Sequence, residues 1–270
     1  MLDSVLNFLA TALYVGAGAL LWRRLAGANT GRGAKLSAIG LGVIAALLHA
    51  VILYSGMRVD GGLNLGFTSA VSLVAWVVVA LFLATALSKP IENLGIFIMP
   101  TAAATVLSAW AWPSRNIPAP YTSALLFSHI IISILAYSLL SIAVVQSLML
   151  SIQERHLRHK QPGGFMRTLP PMQTMEQLMF QLIALGFFLL TLTLISGIFF
   201  SEALFGKPLM FTHHIVLSIF AWLAFAILLV GRWRFGWRGR NAIRWTVSGF
   251  TLLALAYFGS KFVLEILLGR

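Results

Sequence analysis

SALLFSHIIISILAYSLLSIAVVQSLMLSI, residues 123–152, holds no Asp, Glu, Lys or Arg. About 20 apolar residues suffice to cross a bilayer as a helix, because a helix satisfies its own backbone N–H and C=O groups where no water is present. At about 1.5 Å per residue these residues reach about 45 Å, more than a hydrocarbon core needs. The helix is therefore expected to run on into water, with Gln153, Glu154 and Arg155 beyond the lipid.

Seven further apolar stretches flank this one. They lie at 3–22, 36–55, 67–88, 94–111, 177–200, 211–230 and 245–267. The chain is 59% hydrophobic and 10% charged, with mean hydropathy +0.91. A soluble domain carries about 25% charged residues. The expected fold is all-α: one polytopic membrane helix bundle over residues 1–270, of about eight transmembrane helices. No small-residue cleavage site follows the first stretch, which reads as a retained helix. The chain has no cysteine, which excludes disulfides and thiolate chemistry within it.

The basic residues set the expected orientation. Arg23, Arg24, Arg32 and Lys35 lie between spans one and two, and Lys89 between three and four. Arg155, Arg158, Lys160 and Arg167 lie between five and six, and Arg232, Arg234, Arg238, Arg240 and Arg244 between seven and eight. These turns hold fourteen of the nineteen basic residues. The positive-inside bias then puts both termini outside, in a multi-pass protein of the bacterial inner membrane. In that setting the net charge of +12 reflects inner loops and lipid contact, not nucleic acid.

Local signals agree. Gly27, Asn29, Gly31 and Gly33 make the first inner loop a turn. Pro113, Pro118 and Pro120 break the chain beside Trp110, Trp112 and Tyr121, which suit an interfacial belt. Pro170 and Pro171 stop the preceding structure, and Thr174 with Gln177 forms a candidate capping box. The arginines of RWRFGWRGR (232–240) have no acidic neighbour in sequence, which favours anionic lipid or a partner protein.

Four of the six histidines, His49, His129, His213 and His214, fall within the apolar segments, near one membrane face on this topology. Ionisable groups there are kept mainly where they pair, line a cavity or bind something. His49 lies about six residues from the outer end of its span and His129 about six from its outer start, a depth of about 9 Å. His213 and His214 open span seven, about 100° apart on a helix, so one of them is interfacial. Lys261 and Glu265 are placed to pair at i,i+4 on the same side. His156 and His159 belong to a solvated basic run and carry no assigned role.

A lone membrane histidine more often bonds a neighbouring helix than a ligand. Together, however, these residues suit a ligand that takes neutral imidazoles from separate helices in an apolar pocket. Haem is such a ligand: His49 and His129 or His214 would be axial, with Arg58 or Lys261 for the propionates. Zinc and copper are alternatives that spacing does not separate. No nucleophile elbow, P-loop, zinc helix motif or dinucleotide fingerprint is present, and an enzyme is not expected.

HIIISILAYSLLSIAVVQSLML (129–150) resembles the His-x(7)-Tyr helix of the cytochrome c assembly proteins, the CcsA/CcmC/HemX-like family. LPPMQTMEQLMFQLIALGFFLLTLTLISG (169–197), GWRGRNAIRWTVSGFTLLALAYFGSKFVLE (236–265) and LLHAVILY (47–54) resemble further stretches of that family. The likeness covers most of the chain and is nearest to the short YpjD-type inner-membrane branch. It implies haem binding, with His129 and His49 at the positions of haem-ligating histidines, and a role in cytochrome assembly beside other membrane or assembly proteins. Residues 201–214 (SEALFGKPLMFTHH) hold neither tryptophan nor aspartate where haem-handling members carry a tryptophan-rich loop. The alternative is a permease-like or regulatory membrane subunit that keeps the fold without haem transfer.

Overall fold

The charge-free runs become helices because no other open element can bury its backbone polar groups in lipid. The computed structural model describes residues 2–27, 31–59, 62–89, 91–113, 118–120, 124–159, 169–205 and 213–267. The α-helices among them are α1 (Leu2–Leu25), α2 (Arg32–Met57), α3 (Phe67–Ala86), α4 (Glu92–Ala111), α5 (Ala124–Arg158), α6 (Met172–Phe205), α7 (His213–Phe235) and α8 (Gly239–Ala254). Seven of them, α1 to α7, are long and apolar enough to cross a membrane. The eighth expected span is helical but divided: α8 gives way to π-helical turns at Leu255–Gly259 and Phe262–Leu267. The only strands among the described residues are β1 (Arg58–Val59), β2 (Gly62–Asn64) and β3 (Pro118–Pro120), a sheet in that order with β1 and β2 antiparallel.

The expected long fifth helix is present, 35 residues in all. The capping-box expectation needs correction. Helix α6 begins at Met172, directly after Pro171, so Thr174 lies inside its first turn and not at the cap. The prolines set the start, because a ring-locked φ suits a helix entry and ends what precedes it. The first inner turn keeps Gly27 at φ 85°, where a side chain would be strained. Asn29, Tyr121, Lys160, Arg167, Lys207 and the stretch 206–212 lie outside the described residues.

The chain falls into two compact units, Met1–Ala119 with Ile152–Thr174, and Pro120–Ser151 with Met175–Arg270. In the first unit α1 packs on α2 and α4, and α3 packs on the same two helices, closing a ring of four. Small residues allow the close approaches, as is usual between membrane helices. A Cβ on Gly95 would meet the side chains of Leu21 and Phe82, and one on Gly18 would lie 3.3 Å from Pro100. At one end of this ring Glu92, in the first turn of α4, accepts from Arg24 at 2.7 Å and lies 2.8 Å from Lys35. One carboxylate thus ties α1, α2 and α4 together. Phe8 meets Trp110 edge to face at the other end, with ring centres 4.9 Å apart.

In the second unit α7 packs on α8 and on the π-helical turn that follows it. Leu140 of α5 fits against Gly186 of α6, where a Cβ would come within 2.8 Å of it. Gln146 of α5 donates to the Met175 carbonyl at 3.0 Å, securing the entry to α6. Trp222 of α7 donates to Thr191 of α6 at 2.9 Å and stacks on Phe187. Glu176 in the first turn of α6 accepts from Arg232 at 2.7 Å and lies 3.6 Å from Arg238. The 232–240 arginines have no acidic neighbour in sequence, but in space two of them meet a carboxylate. That carboxylate lies 56 residues from Arg232 in the chain, which no local reading of charge could find.

Candidate functional site

The four membrane histidines divide between the units. His49 belongs to the first, and His129, His213 and His214 to the second.

His49 is fully buried in the α1–α4 ring. Its Nδ1 lies 3.2 Å from the Tyr14 hydroxyl of α1, and its Nε2 lies 2.8 Å from Ser72 Oγ of α3. A neutral imidazole has one donor and one acceptor nitrogen, and a hydroxyl serves either. The clasp is therefore satisfied in both tautomers. Trp76, one turn on from Ser72, donates to the Ala46 carbonyl at 2.8 Å and reinforces the same α2–α3 contact. Polar bonding of this kind joins helices where no hydrophobic force distinguishes helix from lipid.

His129 sits in a polar seam. His129, Ser133, Tyr137 and Ser141 recur every fourth residue along α5 and so follow one face. Ser196 of α6 lies 2.7 Å from His129 Nδ1. Ser196 also donates to the Thr193 carbonyl at 3.0 Å. A serine has a single proton, so with that proton on Thr193 its oxygen accepts from His129 Nδ1–H. The lone pair of the neutral ring is then on Nε2. This is the pattern of a metal-ligating histidine, whose other nitrogen is held by a neighbour. Gly197 leaves room at this place: a Cβ there would lie 3.6 Å from His129 Cε1.

The adjacent pair at the start of α7 is resolved by exposure. His213 is exposed, and His214 is half-buried with its ring edge-on to Tyr257 at 6.2 Å. Tyr137 donates to the Leu253 carbonyl at 2.7 Å, beside the point where α8 changes pitch. π-Helical turns are rare and often lie at functional sites. Here the turn carries Tyr257 and Phe258, both packed near Tyr137. Lys261 lies 3.5 Å from Glu265 and over the Tyr257 ring at 5.4 Å. Arg58, the other expected cation, lies over the ring of Tyr54 in the first unit at 4.5 Å.

The second unit thus gathers His129, His214, Lys261 and three aromatic rings. Sequence reasoning named the histidines and the lysine but missed Ser196, Tyr257 and the Tyr14–Ser72 clasp. The four-residue ladder on α5 was the available signal for the seam. For Ser72 and Ser196 there was none, because serine is common in membrane helices and its partner is set by packing. No cluster of three or more His, Asp or Glu side chains placed to hold a metal ion occurs among the described residues.

The helices and this polar seam define a multi-pass membrane protein. The chain matches the Cytochrome C assembly protein family over residues 38–268, a stretch that runs through both units, and belongs to that family. It is 32% identical over 241 residues to the inner membrane protein YpjD of Escherichia coli, covering 87% of this chain and 89% of that one. Protein HemX of Brevibacillus brevis is 24% identical over 147 residues, 54% of each chain. A cytochrome c biogenesis protein CcsA of Synechocystis is 31% identical over 86 residues, 32% of this chain and 26% of that one. No solved structure matches. Like the Escherichia coli relative, this is a multi-pass protein of the inner membrane.

Proposed function

We propose that this protein binds haem and serves cytochrome c assembly as a haem-handling factor, not as an enzyme. The observation that carries the reading is the His129–Ser196–Thr193 chain, in which Ser196 Oγ lies 2.7 Å from His129 Nδ1; with the hydroxyl proton on the Thr193 carbonyl, Nε2 is the lone-pair nitrogen. That nitrogen suits an iron ligand, the aromatic rings of Tyr257 and Phe258 suit a macrocycle, and Lys261 suits a propionate. The residues of the second unit therefore fit the group. His214 is the half-buried imidazole of the same unit that would serve as second ligand, with exposed His213 beside it. His49 is the other candidate ligand by family position, and its engagement would require release of Ser72 or Tyr14. Bound haem would supply an iron centre for transfer or electron exchange, while the chain's own part is to orient imidazoles and exclude water. On the positive-inside reading the site lies toward the outer leaflet, and its partners are lipid and other membrane assembly proteins.

The saturation of both His49 nitrogens favours a second reading, a permease-like or regulatory subunit that keeps the fold without haem. The spectrum of the protein purified from haem-replete cells separates the two. Haem binding predicts a Soret band that is lost in His129→Ala and weakened in His214→Ala. A protein colourless as isolated and after haem addition would overturn the first reading.

A further inference from the structure

We propose that the elbow between α7 and α8 binds the phosphate of an anionic phospholipid headgroup. Helix α7 has 23 residues, about 35 Å at helical rise, against a hydrocarbon core of about 30 Å. Its last turn therefore stands at headgroup depth. Two large aromatics there face outward, Trp233 at 86% and Phe235 at 71% exposure. Aromatic rings so placed are characteristic of the membrane–water boundary, not of a water-facing loop.

The elbow carries five arginines, Arg232, Arg234, Arg238, Arg240 and Arg244. Glu176 accepts from Arg232 and lies within reach of Arg238. Arg234, Arg240 and Arg244 are exposed, and Arg234 and Arg244 meet no carboxylate among the described residues. Arg240 and Arg244 are four apart on α8 and so share a face.

The platform beneath them is fixed. Arg232 also donates to the Trp237 carbonyl at 3.2 Å, and the Trp237 N–H donates to the Gly231 carbonyl at 3.1 Å. The Trp237 ring lies over Gly231, where no Cβ would fit, and stacks on Trp245 with ring centres 5.9 Å apart. A cationic rim bordered by exposed aromatics at headgroup depth matches an anionic lipid in both charge and position.

The test is native mass spectrometry of the full-length protein in a neutral detergent, titrated with phosphatidylglycerol. Removal of one arginine should weaken the first lipid bound by about fivefold, and Arg234→Gln, Arg240→Gln and Arg244→Gln together by on the order of a hundredfold. Exposed Lys89→Gln should change nothing. Equal phosphatidylglycerol affinity in the triple variant and the wild type would overturn the proposal. Equal affinity of the wild type for phosphatidylcholine, or full displacement by inorganic phosphate, would overturn it too, the latter indicating a soluble anion. Retention of lipid with loss of a co-purifying acidic protein would likewise overturn it. Arg234→Gln alone serves if the triple variant does not fold. The haem spectrum is not used, so failure here is distinct from failure of the haem reading.

Discussion

Replacing Ser196 by alanine should move the proton on His129. In the wild type Ser196 Oγ lies 2.7 Å from Nδ1 and 3.0 Å from the Thr193 carbonyl, and with its proton on that carbonyl it accepts from Nδ1–H. A hydrogen bond of this kind contributes about 1 kcal/mol net at a partly buried site. Since 1.4 kcal/mol is tenfold, the ratio of Nδ1–H to Nε2–H tautomer should fall by about fivefold. The readout is nitrogen NMR of histidine-labelled protein in micelles, with the His129 signals assigned by their absence in His129→Ala. Ser196→Thr keeps a hydroxyl and should keep the wild-type ratio. The measurement needs no haem, so it tests the orientation by itself. A wild-type His129 found mainly as Nε2–H, or a ratio unchanged in Ser196→Ala, would refute the proton accounting. Where haem is bound, loss of such an outer partner typically costs 10- to 100-fold in affinity, which should appear in the same variant.

Three other expectations concern stability, each read from thermal unfolding in detergent followed by circular dichroism. Tyr14→Phe should cost about 1 kcal/mol, and His49→Ala about 2–5 kcal/mol, because it removes a packed ring and strands two buried hydroxyls. Equal melting of His49→Ala and wild type would show that the clasp does not hold α1, α2 and α3. Glu176→Gln should cost about 2 kcal/mol by weakening the charged bonds to Arg232 and Arg238, and high salt should narrow the difference from the wild type. Gly95→Ala should cost about 1–3 kcal/mol because its Cβ meets Leu21 and Phe82, whereas Gly33→Ala meets nothing within 4 Å and should be neutral or stabilising. The reverse order of those two variants would contradict the packing of α1, α3 and α4.

Helix number and the apolar character of the spans followed from the linear sequence because membrane insertion is a local property. Each apolar run must cross as a unit, and each carries its own hydropathy. The long α5, the turn at Gly27 and the proline stop before α6 were legible for the same reason. The candidate histidines were legible because an ionisable group among apolar residues is conspicuous in any single sequence.

What the tertiary structure decided is which polar group meets which. Tyr14 and Ser72 stand 35 and 23 residues from His49, and Ser196 stands 67 from His129. Glu176 was an unremarked carboxylate until α6 brought it beside Arg232. The sequence alone could not choose between His213 and His214, since they are adjacent and differ only in the direction each leaves the helix. Packing of α7 against the π-helical turn turned His214 toward Tyr257 and left His213 exposed. Local hydropathy determines that a helix forms and crosses, but the rotation of one helix against another depends on side chains distant in the chain, and that rotation determines whether a histidine is a structural clasp or a candidate ligand.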